Sequence, residues 1–224
     1  MTGKDETSAH AMLAAAREVI QREASALANL VDQIDQTTVD IVGLILASPG
    51  KVVTTGTGTS GIMAERLAHL LGVTGTPAFY LPCLDALHGG MGSIDASDIV
   101  IALSKGGKSA ELTQLVVRLQ ERGVTVVAVT EKPESEFAAA ATYVVTVITD
   151  PREADLGGLI ATGSTLVAGA WGDALAAVLM QARPYSWEEV IATHPGGVVG
   201  QQVDIPVQET LDSPSGSAVP QEER

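Results

Sequence analysis

Cysteine is nearly absent from this sequence: Cys83 stands alone among 224 residues. A single thiol excludes an intramolecular disulfide and a cysteine-built zinc site, and a cytoplasmic setting is expected. Basic residues are also scarce. Thirteen Lys and Arg face 27 Asp and Glu, a formal charge of −14. Binders of nucleic acid or anionic lipid carry the opposite footprint, so neither partner is expected. Aromatics amount to two Trp, three Tyr and two Phe; the core must come from Ala, Val, Leu and Ile. No apolar run reaches the roughly 18 residues of a membrane span. The longest, residues 166–180, carries Asp173 and reads as a buried helix. Histidine and carboxylate spacings typical of metal ligands are missing, and no metal or cofactor is expected. Residues 1–10 lack the apolar stretch of a signal peptide, so no leader is expected.

What is present suits one α/β domain. Apolar residues make up 46% and charged residues 18%, a composition that folds. Residues 1–50 read as helices. Leu13, Ile20, Ala24, Leu27, Val31 and Ile34 form one apolar stripe at helical spacing, and a neighbouring subunit is its natural cover. Thr37, with Asp40 three residues on, predicts the cap of a second helix that stops at Pro49-Gly50. Then the period changes. β-branched runs at 52–55, 78–81, 99–103, 124–130 and 143–148 alternate with helical segments at 62–71, 110–122, 134–141 and 162–181. Strand starts lie about 20–25 residues apart, the length of a strand plus a crossover helix. The strands are apolar almost throughout, as when helices cover both faces. A three-layer α/β sandwich around a five-stranded parallel sheet follows, with its core over 51–204. Ser186-Trp-Glu-Glu is a capping box for a last helix. Residues 205–224, rich in Pro, Ser, Gln and Glu, read as a disordered tail.

In an open parallel sheet the ligand sits beyond the carboxyl ends of the strands. Two glycine-rich, hydroxyl-bearing loops leave such ends: Gly56-Thr57-Gly58-Thr59-Ser60-Gly61 after the first strand and Ser104-Lys105-Gly106-Gly107-Lys108-Ser109 after the third. Each opens a helix, where backbone N–H groups and the helix dipole favour an anion and glycine permits close approach. Together they predict one phosphate held by Thr59, Ser60, Ser104, Gly106, Gly107, Lys108 and Ser109. In so acidic a chain, Lys105 and Lys108 look placed for an anion. Neither loop is a Walker A sequence. The G-x-G-x-x-G pattern of the first also fits a dinucleotide, but no acid stands near Tyr80 to hold a ribose; Asp85 is the nearest. Three further residues lie at loop positions near this end: His88 after the second strand, Glu153 after the fifth and His194 before Pro-Gly-Gly. His10 and His69 read as solvated or packed residues.

These segments, with Thr76–Tyr80, His88–Gly92, Thr162–Thr165, Gly172–Leu175 and His194–Gly200, resemble the sugar isomerase (SIS) domain family, nearest its arabinose-5-phosphate isomerase group. The likeness runs over roughly residues 10–202. It implies a flavodoxin-like fold, a homodimer or homotetramer with sites at subunit interfaces, and aldose–ketose isomerisation of a phosphorylated sugar without a cofactor. It also implies roles: Ser60, Ser104 and Ser109 on the phosphate, Glu153 as acid/base, His194 in ring opening or proton transfer, which a neighbouring subunit can supply, and His88 lining the pocket. The chain departs from the group in two places. Thr59 stands where lysine is usual. Gly106 and Lys108 replace a serine and a glutamate of the second loop. Those losses keep open a second reading, a non-catalytic sugar-phosphate sensor or regulatory protein. Isomerases of the family often add C-terminal CBS domains; here a polar tail stands where they would begin, and regulation through them is not expected.

Overall fold

Five short runs dominated by β-branched and small apolar residues pair as one parallel sheet: β1 (Val52–Gly56), β2 (Ala78–Tyr80), β3 (Ile99–Leu103), β4 (Thr125–Thr130) and β5 (Tyr143–Thr146). In this computed structural model, which describes residues 3–208, 210 and 211, the strand order is β2-β1-β3-β4-β5. Register follows chain order, with Val52 opposite Ile99 and Ile99 opposite Thr125. Helices α3 (Gly58–Val73), α5 (Ala110–Glu121) and α6 (Glu136–Ala139) follow β1, β3 and β4, and the short α4 (Cys83–Leu87) follows β2. Beyond β5 come the long α7 (Gly163–Gln181) and α8 (Trp187–Ala192). The expected three-layer α/β sandwich is the fold.

Alternation along each strand builds two cores. Val52, Ile99, Ile101, Leu103, Val127 and Val129 point to one face, where they meet Leu67, Leu71, Trp171, Leu175 and Leu179 of α3 and α7. Val53, Val100, Ala102, Val126 and Ala128 point to the other, against Leu112, Leu115, Leu119 and Phe137 of α5 and α6. Period-two side-chain placement in a strand makes this division automatic. It puts the helices after β1 and β3 on opposite faces, as right-handed crossovers running in opposite directions require. Helix α7 is long and apolar enough to cross a membrane by length and composition, but half of its apolar window is buried inside the fold.

Helices α1 (Gly3–Leu30) and α2 (Gln36–Ala47) lie on the α3–α7 side. Ala26 and Leu30 are the α1 residues in the core. The stripe read from sequence is largely open: Leu13, Ile20, Val31 and Ile34 are exposed. The cap of α2 differs from expectation. Asp35, not Thr37, stands at the N-cap, and its carboxylate accepts from the Thr37 amide at 2.9 Å. Asp precedes Thr in the chain and caps as strongly, so the helix starts two residues earlier. The capping box at Ser186 and Glu189 forms as read. Residues 205–208, 210 and 211 carry no helix or strand, and the rest of the tail read as disordered lies outside the described residues.

A buried carboxylate secures the amino-terminal end of the sheet. Asp98, with 2% of its side chain exposed, accepts from the Lys51 amide at 3.0 Å, the Lys51 ammonium at 2.7 Å and the Asp95 amide at 2.8 Å. It thereby joins the starts of β1 and β3. Burial alone would raise its pKa, but these donors outweigh it and hold the carboxyl below its ordinary value. Its contribution is therefore complete above about pH 4, the unfolded value, and is lost as the pH falls through the lower folded one. Asp98→Ala is expected to cost about 2–3 kcal/mol, less than for a fully buried pair because Lys51 reaches solvent. Thermal unfolding between pH 7 and pH 3 should show this loss, and Asp98→Asn should flatten the acid limb of the stability curve.

Candidate functional site

From β1 the chain passes to β2 on one side, while β3 pairs with β1 on the other. That reversal is a topological switch point, and it opens a crevice at the carboxyl ends of β1 and β3. Both glycine-rich loops emerge there. In the first, Gly58 has φ +56°, a left-handed value that turns the strand into α3. A Cβ on Gly56 would lie 2.9 Å from the Ser60 backbone, and one on Gly61 2.9 Å from the Tyr80 hydroxyl. Glycine thus lets the first turn of α3 settle onto the strand end. Thr57, at the N-cap of α3, gives no side-chain bond to the helix amides. Its hydroxyl donates instead to Ser109 Oγ at 3.1 Å, which joins the two loops. In the second loop Gly107 has φ +60°, and a Cβ there would lie 2.3 Å from Ser135 Oγ.

A small cavity of about 50 Å³ lies above this crevice. Thr59 and Ser60 line it from α3, Ser104 and Lys105 from the end of β3, Thr130 and Glu131 from the end of β4, and Ser164 and Thr165 from α7. Leu103, Val129 and Val147 form its apolar floor. The open amino end of α3 faces hydroxyls from three elements, an arrangement that accepts an anion.

The amino end of α7 is occupied by protein. Asp155, with 1% of its side chain exposed, accepts from the Thr162 amide at 3.0 Å and the Ser164 amide at 2.8 Å. Its other oxygen accepts from the Lys105 ammonium. Burial alone would raise the Asp155 carboxyl, but Lys105 and Ser164 hold it below the ordinary value. Glu131 is anchored through one oxygen, which accepts from the Thr149 amide at 3.0 Å and the Thr149 hydroxyl at 2.5 Å. The same oxygen stands 3.8 Å from Lys105 Nζ. Charged groups therefore link the loops after β3, β4 and β5. Helix α1 and the 3-10 turn that follows it, Val31–Gln33, fix the approach to the last of these. Gln33 donates to the Ile148 carbonyl at 2.9 Å and accepts from its amide at 2.7 Å, and Asn29 donates to the Asp150 carbonyl at 2.9 Å.

Of the residues singled out from sequence, Thr59, Ser60 and Ser104 line this cavity. Ser109 stays at the contact between the loops and donates to Glu111 at 3.3 Å. Gly106, Gly107 and Lys108 line a separate surface opening with Lys132 and Ser135. The other lysine of the loop, Lys105, supplies the cavity's ammonium instead. Glu153 is exposed on a short 3-10 turn, Arg152–Ala154. His88 is exposed at the end of α4, and neither it, Glu153 nor His194 is among the residues lining the cavity. His194 Nδ1 lies 2.6 Å from the Val190 carbonyl. A carbonyl only accepts, so Nδ1 carries the proton in that bond and Nε2 is left for other partners. Cys83 is buried, and burial pushes its thiol up to about 11. Sequence reading missed Glu131 and Asp155. Asp155 follows Glu153 by two residues, but no local pattern marks a carboxylate that caps a helix seven residues downstream.

A sequence profile described as the SIS domain matches residues 45–178. Arabinose 5-phosphate isomerase KdsD of Pseudomonas aeruginosa is 35% identical over 206 residues, covering 92% of this chain and 62% of that protein. Arabinose 5-phosphate isomerase GutQ of Salmonella typhi is 34% identical over 211 residues, covering 94% of this chain and 65% of that protein. The chain thus spans less than two thirds of the length of the curated relatives it matches. Among solved structures, c3406 of Escherichia coli CFT073, determined in complex with arabinose 5-phosphate, superposes with a TM-score of 0.79 at 27% identity, over 87% of this chain and all of that one. The matched profile covers more than half of the sequence, the five strands stand in the switch-point order, and the chain belongs to the SIS domain family.

Proposed function

We propose that this chain is an aldose–ketose isomerase of a phosphorylated sugar, similar in activity to the arabinose 5-phosphate isomerases it matches. One observation carries the reading. A hydroxyl-lined cavity sits at the β1/β3 switch point, with Ser60, Thr59 and Ser104 around the uncapped amino end of α3. The phosphate binds there. Holding it supplies binding energy remote from the reacting carbons and positions C1 and C2. His194 opens a cyclic substrate through Nε2, the ring nitrogen left free by the bond to Val190. Glu153 moves a proton between C1 and C2 through a cis-enediolate, and His88 lines the same site.

This reading needs a second copy of the chain. Glu153, His88 and His194 lie outside the wall of the single-chain cavity, and α1 exposes Leu13 and Ile20 at 56% and 64%. A homodimer or homotetramer that covers this stripe and completes the site from the neighbouring subunit accounts for both. A cytoplasmic setting accords with one buried thiol.

Three outcomes test the proposal. Ser60→Ala and Ser104→Ala should each raise KM for the best substrate of a pentose and hexose phosphate panel about 10- to 100-fold, the value of roughly one hydrogen bond to a charged group. Glu153→Gln should lower kcat at least about 100-fold with little change in ligand affinity. Intact turnover in that variant removes Glu153 from the mechanism. Binding of sugar phosphates by the wild type without turnover of any would favour the sensor, a reading that the replaced residues Gly106 and Lys108 motivate. Ile20→Glu should shift the light-scattering mass of the protein toward the monomer.

A further inference from the structure

Hydroxyls are not the only polar groups on the cavity wall. The ammonium of Lys105 and the carboxylate of Glu131 also line it, 3.8 Å apart and not hydrogen-bonded to each other. Both are held by other partners. Lys105 donates one N–H to the buried Asp155, which is fixed in turn by two backbone amides at the start of α7. Glu131 uses one oxygen for Thr149 and keeps the other without a hydrogen bond. The ends of β3 and β4 thus bring a donor and an acceptor to the same cavity wall.

We propose that Lys105 and Glu131 form a donor–acceptor pair that grips neighbouring hydroxyls of the sugar and sets specificity for the carbon chain, with Asp155 as the positioning residue for Lys105. The proposal deepens the sugar-phosphate reading and rests on it. Charge decides which part of the ligand comes here. Lys105 is already neutralised by Asp155, so Glu131 leaves this part of the wall with a net negative charge. A phosphate dianion is repelled and stays at α3, where the helix dipole is open. Neutral hydroxyls meet no such penalty. One can accept from Lys105 while its neighbour donates to Glu131, and charged partners make these the stronger kind of hydrogen bond. Inorganic phosphate gains nothing from the pair, so a binding experiment separates the pair from the phosphate cradle.

The test measures affinity for inorganic phosphate and for a panel of pentose and hexose phosphates, arabinose 5-phosphate included, by calorimetry or, for weak ligands, NMR titration. Two variants join the wild type. Glu131→Gln keeps an oxygen for Thr149. The double variant Lys105→Met/Asp155→Asn removes both charges together, so no buried charge is left unpaired, and Asn retains an oxygen for the α7 amides. Melting temperatures establish that each variant folds. The best sugar ester should lose at least tenfold in affinity in each variant, while inorganic phosphate changes less than twofold. Equal losses for ester and phosphate would make the pair part of the anion site and overturn the inference. So would an ester affinity that neither variant changes. A wild type that binds no ester more tightly than phosphate removes the hydroxyl-reading pair but leaves the phosphate cradle standing. If the wild type binds neither, the sugar-phosphate reading fails and takes the inference with it.

Discussion

The buried contact between Asp155 and Lys105 is the constraint on which the upper end of this molecule depends. Its carboxylate belongs to the loop after β5, its ammonium to the loop after β3, and its amide donors to the first turn of α7. The β5–α7 connection, the start of α7 and a loop 50 residues upstream are thereby tied at one point. A charge so thoroughly removed from water is tolerated only when its hydrogen bonds are complete, and Asp155 spends both oxygens on protein. The result is a division of labour between two helix ends. The amino end of α7 is satisfied from within, while that of α3 is left for a ligand. One open positive pole beside a ring of hydroxyls explains why the cavity has a defined polarity despite a strongly acidic chain.

Asp98 plays the matching part at the opposite end of the sheet, where it joins β1 to β3 through Lys51. The two carboxylates differ in what surrounds them. Asp98 serves strand starts and is not itself among the residues lining the opening beside them. Asp155 stands beside the site, so its partner Lys105 is both a structural ion pair and part of the cavity wall. The same chemistry is structural at one end of the strands and borders a ligand space at the other because loops at the carboxyl ends converge on the switch point.

Much of this architecture is legible in the sequence, and the reasons are local. All five strands fall where the β-branched runs predict them, since a strand covered on both faces leaves few polar interruptions. The box at Ser186 and Glu189 is a four-residue signal and forms as read. Thr59, Ser60 and Ser104 stand out because glycine and hydroxyl residues after a strand have a restricted meaning. Long-range pairing hides the rest. Nothing near Lys105 distinguishes it from Lys108; the partner that decides between them lies 50 residues away. Glu131 looks like a loop acid until Thr149 is seen to anchor it. On α1, sequence spacing marks a stripe of Leu13, Ile20 and Val31, yet the fold buries Ala26 and Leu30. Periodicity identifies an apolar face and does not say which neighbour covers it.

The Gln33 side chain bears on how copies of this protein can meet. Its amide pairs with both backbone groups of Ile148, in the manner of an added strand, just past the outermost strand β5. At the other border β2 is only three residues long. An open sheet ordinarily tempts a second chain to extend its ladder. Here one margin is shortened and the other is chaperoned at its exit by a helical turn of the same chain, so neither border invites backbone zippering.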